Sequence, residues 1–300
     1  MQALKNWLHA FRLRTLPLAF SSILMGGIVA LSQGYSNAEV LLLALITTLF
    51  LQILSNLAND YGDADKGTDN KDRLGPTRTV QSGAISKQAM LKAILVFALL
   101  SLVSGICLIY IALGSEYMIR SFLFLMVGFA AIWAALKYTM GKNAYGYRGF
   151  GDIFVFIFFG IIAVGGTYYL IAGELNAWVL LPASTLGFFT TGVLNLNNLR
   201  DHENDKLSGK ITLVVKFGFQ NGKYYQLMLI LGGLVMMAVY INKFYTSYWW
   251  WLEMITLPLF LLSIKTVLNS SNPKSLDPEL KKLALTTALF TLLFGLGLII

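Results

Sequence analysis

Nine stretches of mostly apolar residues run through this chain, at roughly 15–33, 38–58, 88–113, 117–137, 152–171, 177–198, 224–242, 247–267 and 282–300. Crossing the hydrocarbon core of a bilayer takes about 20 such residues in a helix, which satisfies its own backbone hydrogen bonds there. The expected fold is all-α: a polytopic membrane protein with nine transmembrane helices around a central cavity, forming one domain over residues 1–300. A chain that is 56% hydrophobic and 13% charged fits a multi-span protein better than a soluble domain with one anchor. The first apolar run does not read as a cleavable leader. It is long, and Gln33-Gly34-Tyr35 follows it instead of a small-x-small cleavage site.

Basic residues orient the bundle. Lys5, Arg12 and Arg14 precede the first run, and Lys66, Lys71, Arg73, Arg78, Lys87 and Lys92 lie between or beside the second and third. Further inner connections carry Lys137, Lys142, Arg148, Arg200, Lys206, Lys210, Lys216 and Lys223, whereas the other side holds only Arg120 and Lys243. Positive residues stay cytoplasmic, so the N-terminus is expected inside and the C-terminus outside. Much of the +8 net charge is then topological. It gives no argument for nucleic-acid binding, and no basic-aromatic nucleic-acid motif is present. Cys107 is the single cysteine, which excludes an intrachain disulfide and a cysteine metal site. Trp249, Trp250 and Trp251, with Tyr245 and Tyr248, read as an interfacial belt.

Two acidic segments stand where the second and sixth runs end: Asn59-Asp60-Tyr61-Gly62-Asp63, continuing to Asp69, and Asn197-Asn198-Leu199-Arg200-Asp201, continuing to Asp205. Both contain Asn-x-x-x-Asp, and residues four apart share a helix face. Clustered carboxylates at a membrane boundary call for a cation. An all-oxygen set suits Mg²⁺ or Ca²⁺, and Mg²⁺ typically takes one or two carboxylates plus phosphate oxygens. Two rows imply two ions holding one polyphosphate. The metal set expected is Asn59, Asp60, Asp63, Asp69, Asn197, Asp201 and Asp205, with Asp63, Asp201 and Asp205 central to catalysis; Asp65, Asp72 and Glu203 read as solvated. Arg73, Arg78, Lys142 and Lys210 are the diphosphate-binding candidates, since guanidinium and ammonium groups suit phosphate. The equal offset of the two segments, four spans apart, suggests two four-helix repeats plus a ninth helix. In the loop Lys142-Asn143-Ala144-Tyr145-Gly146-Tyr147-Arg148-Gly149, the two tyrosines suit stacking on an aromatic ring, and Arg148 suits a carboxylate.

Together these residues resemble the UbiA superfamily of intramembrane aromatic prenyltransferases over the whole chain. Asn59-Asp60-Tyr61-Gly62-Asp63, Asp72-Arg73-Leu74-Gly75-Pro76, Tyr145-Gly146-Tyr147-Arg148-Gly149, Asn197-Asn198-Leu199-Arg200-Asp201, Gly209-Lys210 and Arg12-Leu13-Arg14-Thr15-Leu16-Pro17 carry the likeness. The pattern is similar to the branch acting on dihydroxynaphthoate. One departure stands out: Gly67 occupies the third acidic position of the superfamily's first motif, and the next acid is Asp69. The resemblance implies a lipid-bilayer enzyme with Mg²⁺, a polyprenyl diphosphate donor and a dihydroxynaphthoate acceptor held at Tyr145, Tyr147 and Arg148. Demethylmenaquinone, diphosphate and CO₂ would be the products. Two alternatives stand beside it: another acceptor such as 4-hydroxybenzoate, or a cation-coupled secondary transporter.

Overall fold

The computed structural model describes residues 2–70, 73–115, 117–244 and 246–300. Lys71, Asp72 and Tyr245, named above, lie outside the described residues. Among the described residues no strand occurs, and nine helices are long and apolar enough to cross a membrane. The first span is Leu16–Ser32. The others are Ala38–Asp65, Lys87–Leu113, Met118–Lys137, Gly151–Ala172, Ala177–Leu207, Phe219–Phe244, Tyr248–Asn269 and Pro273–Ile299.

Several boundaries differ from the apolar runs, each for a local reason. A separate amphipathic helix, Gln2–Phe11, precedes the first span. It sets Trp7 and Phe11 against the core and leaves Leu4 and Leu8 exposed. The second and sixth spans overrun their apolar ends by about two turns, because the polar continuation is itself buried: Asp60, Asp63, Asp201 and Asp205 are all inside. The fifth span is π-helical from Phe156 to Gly165. Such stretches are rare and accompany functional sites, and this one borders the main cavity. Side-chain caps start other helices: Asn37 accepts from Val40 N at 3.1 Å and Ser86 from Ala89 N at 3.2 Å.

Packing is uneven around the bundle. One large core joins the first, fifth, sixth, seventh, eighth and ninth spans, with Phe189, Phe260, Phe290, Phe294 and Tyr240 fully buried. The second, third and fourth spans hold smaller clusters. Outward faces of the third and fourth spans expose Leu95, Leu99, Val103, Ile119 and Phe122, as lipid-facing helices do, and Cys107 is exposed with them. The expected aromatic belt is only partial. Tyr248 and Trp249 are exposed, but Trp250 is buried edge-on to Phe294 and belongs to the core. Glu253, one turn on, is fully buried with neither carboxylate oxygen hydrogen-bonded.

Candidate active site

Both acid-bearing helices end alike. Gly67 and Gly209 adopt positive φ, 73° and 74°. The next amide folds back five residues: Thr68 N donates to Asp63 O at 3.0 Å and Lys210 N to Asp205 O at 2.8 Å. Glycine takes this left-handed closing position without a Cβ penalty. The second helix stops one turn sooner relative to its Asn-x-x-x-Asp, so its third acid comes from the turn. Asp69 N also donates to Asp63 O, at 3.3 Å, which holds the Asp69 carboxylate beside the helix end.

The two segments meet in one buried cluster. Arg73 bridges them, with Nε 3.3 Å from Asp69 Oδ1 and an Nη2 3.4 Å from Asp201 Oδ2. Asn204 Nδ2 donates to Thr68 O at 2.9 Å, tying the sixth span to the first turn. Lys210 is buried, 3.8 Å from Asp205 Oδ1. Burial opposes its charge, but Asp63 and Asp205 outweigh burial and raise its pKa. Burial lifts the Asp69 carboxyl to about 6, with Arg78 pulling the other way. Tyr147 donates to Asp63 Oδ1 at 2.7 Å, lies 2.5 Å from Thr68 Oγ1 and has Lys66 over its ring at 4.2 Å. Its pKa is raised by burial and then by Asp63. Gly62 makes this docking possible. A Cβ there would lie 2.5 Å from Thr139 Oγ1, whose hydroxyl donates to Ala58 O at 2.9 Å.

Not every expected residue joins. Asp60 holds a loop: Thr79 N, Thr79 Oγ1 and Val80 N donate to its carboxylate at 3.1, 2.6 and 3.3 Å. Asn197 Oδ1 accepts from Arg200 at 2.8 Å, and it is the neighbouring Asn198 that is fully enclosed with Oδ1 unpartnered. Asn59 is half-buried on the site's helix. Lys142 is exposed, and Arg148 is exposed with an Nη2 2.5 Å from Asn143 Oδ1, so neither adjoins the cluster. Tyr145 turns from the acids to stack on Phe154, centroids 3.9 Å apart. Asp65 and Glu203 are exposed as expected, Asp65 pairing with Lys87 at 2.9 Å.

Sequence reasoning missed two arginines. Arg200 clamps Asp201 with donors at 2.9 and 2.6 Å and reaches Asp277 at 2.6 Å. Arg12, counted above as a topology marker and as part of one of the resemblance motifs, has φ 50°, a sparsely populated conformation for a non-glycine residue. That break joins the surface helix to the first span and is held by Thr15, whose N and Oγ1 both donate to Arg12 O at 2.9 Å. Arg12 and Arg78 share a cavity of about 250 Å³ with Asp60 and Pro76. Arg12 Nη2 and Arg78 Nε are buried without hydrogen-bond partners. Burial, and then Arg12 and Arg73, push the Arg78 pKa well down. Guanidinium groups do not deprotonate in proteins, and Arg78 Nε has only a long ion pair with Asp69 Oδ1, at 3.7 Å, so the pair of arginines has donors to spare for an anion. The φ of Arg12 is not written in the sequence; the signals available there were the Arg12-Leu13-Arg14-Thr15-Leu16-Pro17 and Asn197-Asn198-Leu199-Arg200-Asp201 motifs.

Beneath the cluster lies a cavity of about 360 Å³, lined by the first six spans and by Tyr138 and Tyr145. Tyr138 faces it at the seam, its pKa pushed up to about 12 by burial. Apolar groups dominate the walls, which suits an isoprenoid or a ring and excludes water.

The donor set fits a hard cation. Asp69 Oδ2, Asp205 Oδ2, Asn198 Oδ1 and Asn204 Oδ1 are buried without hydrogen-bond partners, and Asp69 Oδ1 has only ion pairs with Arg73 and Arg78 at 3.3 and 3.7 Å. Such orphans are costly unless an ion or donor meets them. Among the described residues no three acidic, histidine or cysteine side chains form a ready-made metal site. That matches an ion that completes its shell with phosphate oxygens.

The profile of the UbiA prenyltransferase family matches residues 19–298. The 1,4-dihydroxy-2-naphthoate octaprenyltransferase of Escherichia coli (strain K12) is 43% identical, covering 97% of this chain and 94% of that one. Its namesake from Mycobacterium leprae (strain TN) is 33% identical over 97% and 95%. Among solved structures, a UbiA homologue from Aeropyrum pernix K1 superposes with TM-score 0.68 at 16% identity, covering 97% of each chain. A homologue from Archaeoglobus fulgidus bound to DMAPP and Mg²⁺ gives TM-score 0.58 at 18% identity, over 96% of this chain and 98% of that one.

Proposed function

Because this chain belongs to the UbiA prenyltransferase family, we propose that it moves a polyprenyl group from polyprenyl diphosphate to 1,4-dihydroxy-2-naphthoate. Diphosphate and CO₂ leave, and the product is the prenylated naphthoquinol, demethylmenaquinol, the reduced form of demethylmenaquinone. The protein is a multi-pass membrane prenyltransferase. The observation that carries the reading is the juxtaposition of two kinds of surface. Buried acids and buried basic groups end the same two helices whose earlier turns, at Ser55 and Leu194, line an apolar cavity.

Arg12, Arg73, Arg78 and Lys210 hold the donor diphosphate as charge-assisted hydrogen-bond donors. Asp63, Asp69, Asp201 and Asp205, with Asn59 and Asn198, are the residues that would hold Mg²⁺, with two ions expected from two acid rows. Bound there, Mg²⁺ supplies positive charge to the departing diphosphate. Asp60 acts by fixing the Thr79–Val80 loop that carries Arg78 into place. As the allylic C–O bond breaks, its electron pair leaves with the diphosphate, which the bases are already positioned to receive. The apolar walls keep water from the allylic cation. Ring π electrons then form the new C–C bond, and the ring carboxylate leaves as CO₂, returning its electron pair to the ring. The acid rows and the N-terminus face the cytoplasm, following the positive-inside pattern.

The test is an assay of purified protein with polyprenyl diphosphate and Mg²⁺, offering hydroxynaphthoate and hydroxybenzoate acceptors side by side. Mass spectrometry should find the prenylated naphthoquinol. A prenylated hydroxybenzoate in its place would move the protein to another acceptor, and no prenylated product would remove the reading.

A further inference from the structure

The acceptor needs a home inside the cavity, and the exposed Arg148 does not provide one. Among the described residues no Asp, Glu, Lys or Arg lines the cavity. Its polar groups gather on the second span, where Thr47, Thr48, Gln52 and Ser55 line the wall below the acid row. At a rise of 1.5 Å per residue, Ser55 lies about 6 Å and Gln52 about 10 Å below Asn59 along the helix. This is the level to which the reacting carbon hangs from a diphosphate held on the acids. The stacked Tyr145 and Phe154 line the same cavity.

The Gln52 amide has a fixed orientation. Thr15 Oγ1 spends its only proton on Arg12 O at 2.9 Å. It therefore accepts from Gln52 Nε2 at 3.1 Å and from Asn56 Nδ2 at 3.2 Å. With its NH₂ committed to Thr15, Gln52 offers its amide oxygen, an acceptor suited to a phenolic O–H.

We propose that Gln52 and Ser55 determine acceptor specificity: they hydrogen-bond the ring hydroxyls of the dihydroxynaphthoate while Tyr145 and Phe154 cover its aromatic surface. The carboxylate then sits in the cavity with no counter-ion. An unpaired carboxylate is costly in an apolar site, so the neutral lining favours its loss as CO₂. The inference rests on the function proposed above.

Its test varies donor and acceptor separately in Gln52→Leu, Ser55→Ala and Thr15→Ala. Losing one hydrogen bond should raise the acceptor KM of Gln52→Leu about tenfold. Its donor KM should hold within about twofold, the range of an untouched contact. Wild-type enzyme should prefer the dihydroxy acceptor over an analogue lacking one ring hydroxyl, and Gln52→Leu should lose that preference. Thr15→Ala frees the Gln52 amide without changing the cavity wall, so its acceptor KM should rise in the same direction but less than that of Gln52→Leu. An acceptor KM that rises in Thr15→Ala but not in Gln52→Leu would show that the amide itself makes no acceptor contact, and the proposal falls. A donor-only defect, or retained discrimination between the two acceptors, overturns it as well. Should Gln52→Leu not fold, Ser55→Ala decides by the same acceptor-against-donor split. Wild-type enzyme inactive on hydroxynaphthoate would instead remove the functional reading beneath it.

Discussion

The second and sixth spans carry equivalent acids and solve the same problem differently. The sixth stays helical to Leu207 and sets Asn198, Asp201 and Asp205 along one face. The second ends at Asp65, and its last acid, Asp69, arrives by way of a glycine turn. A spacing rule therefore finds the sixth-span acids but gives Gly67 where the second span should have its third. What the two helices share is a closing device, a left-handed glycine followed by an amide that reaches back five residues. In one case the turn delivers a carboxylate, and in the other it delivers Lys210. Ligand position depends on where the chain closes as well as on helical periodicity.

If both rows serve one metal-diphosphate unit, chelation should affect them together. EDTA is expected to abolish turnover, a loss of about 10³-fold or more, and added Mg²⁺ to restore it. Full activity in chelator would separate the rows from any metal. Next, Asp63→Ala and Asp205→Ala, at matched positions before the two turns, should each cost about 10²-fold in kcat/KM. Asp60→Ala should differ in kind. It frees the Thr79–Val80 loop and should lower stability by about 1–3 kcal/mol, read as a lower melting temperature in detergent. An Asp60→Ala rate defect as deep as that of Asp63→Ala, with melting unchanged, would return Asp60 to the metal set.

Smaller effects should follow from the turns. Gly67→Ala strains the left-handed position and displaces Asp69, while Gly209→Ala displaces Lys210. Each should cost about 1 kcal/mol of stability and weaken donor binding severalfold. If the two alanine variants behave alike in donor KM, the turns are functionally equivalent. A defect confined to one would show that only one of the delivered side chains matters. Arg148→Ala should change either KM by less than about twofold, as expected for an exposed side chain. A selective rise in acceptor KM would restore the role its chemistry first suggested.

These contrasts also show what a sequence can and cannot expose. Nine spans were legible because a bilayer leaves few ways to satisfy a backbone. The grouping of Asp63, Asp201 and Asp205 was legible because residues four apart share a helix face, and all three are buried. The contacts Asp60 makes with Thr79 and Val80 were not legible because those partners lie some twenty residues away across a loop with no periodicity. The place of Arg12 beside Arg78 stayed hidden because positive charge at inner helix ends is already explained by topology, and a single arginine among many raises no signal. Arg148 and Lys142 had suitable chemistry, but the loop docks through Tyr147 and faces them outward. Trp250 followed its neighbours in composition and not in burial.

The main cavity, at about 360 Å³, sits near the lower end of volumes that enclose a drug-sized ligand. An aromatic ring and the reacting end of an isoprenoid fill such a space, and a long polyprenyl tail has no room left in it. On that volume the tail is expected to stay in the surrounding lipid during turnover. The membrane is then a co-solvent of the reaction: the protein handles a head group while the bilayer stores the remainder. Choice of chain length passes to whatever diphosphate pool the lipid phase contains, and product departure becomes lateral drift of a molecule that never fully entered.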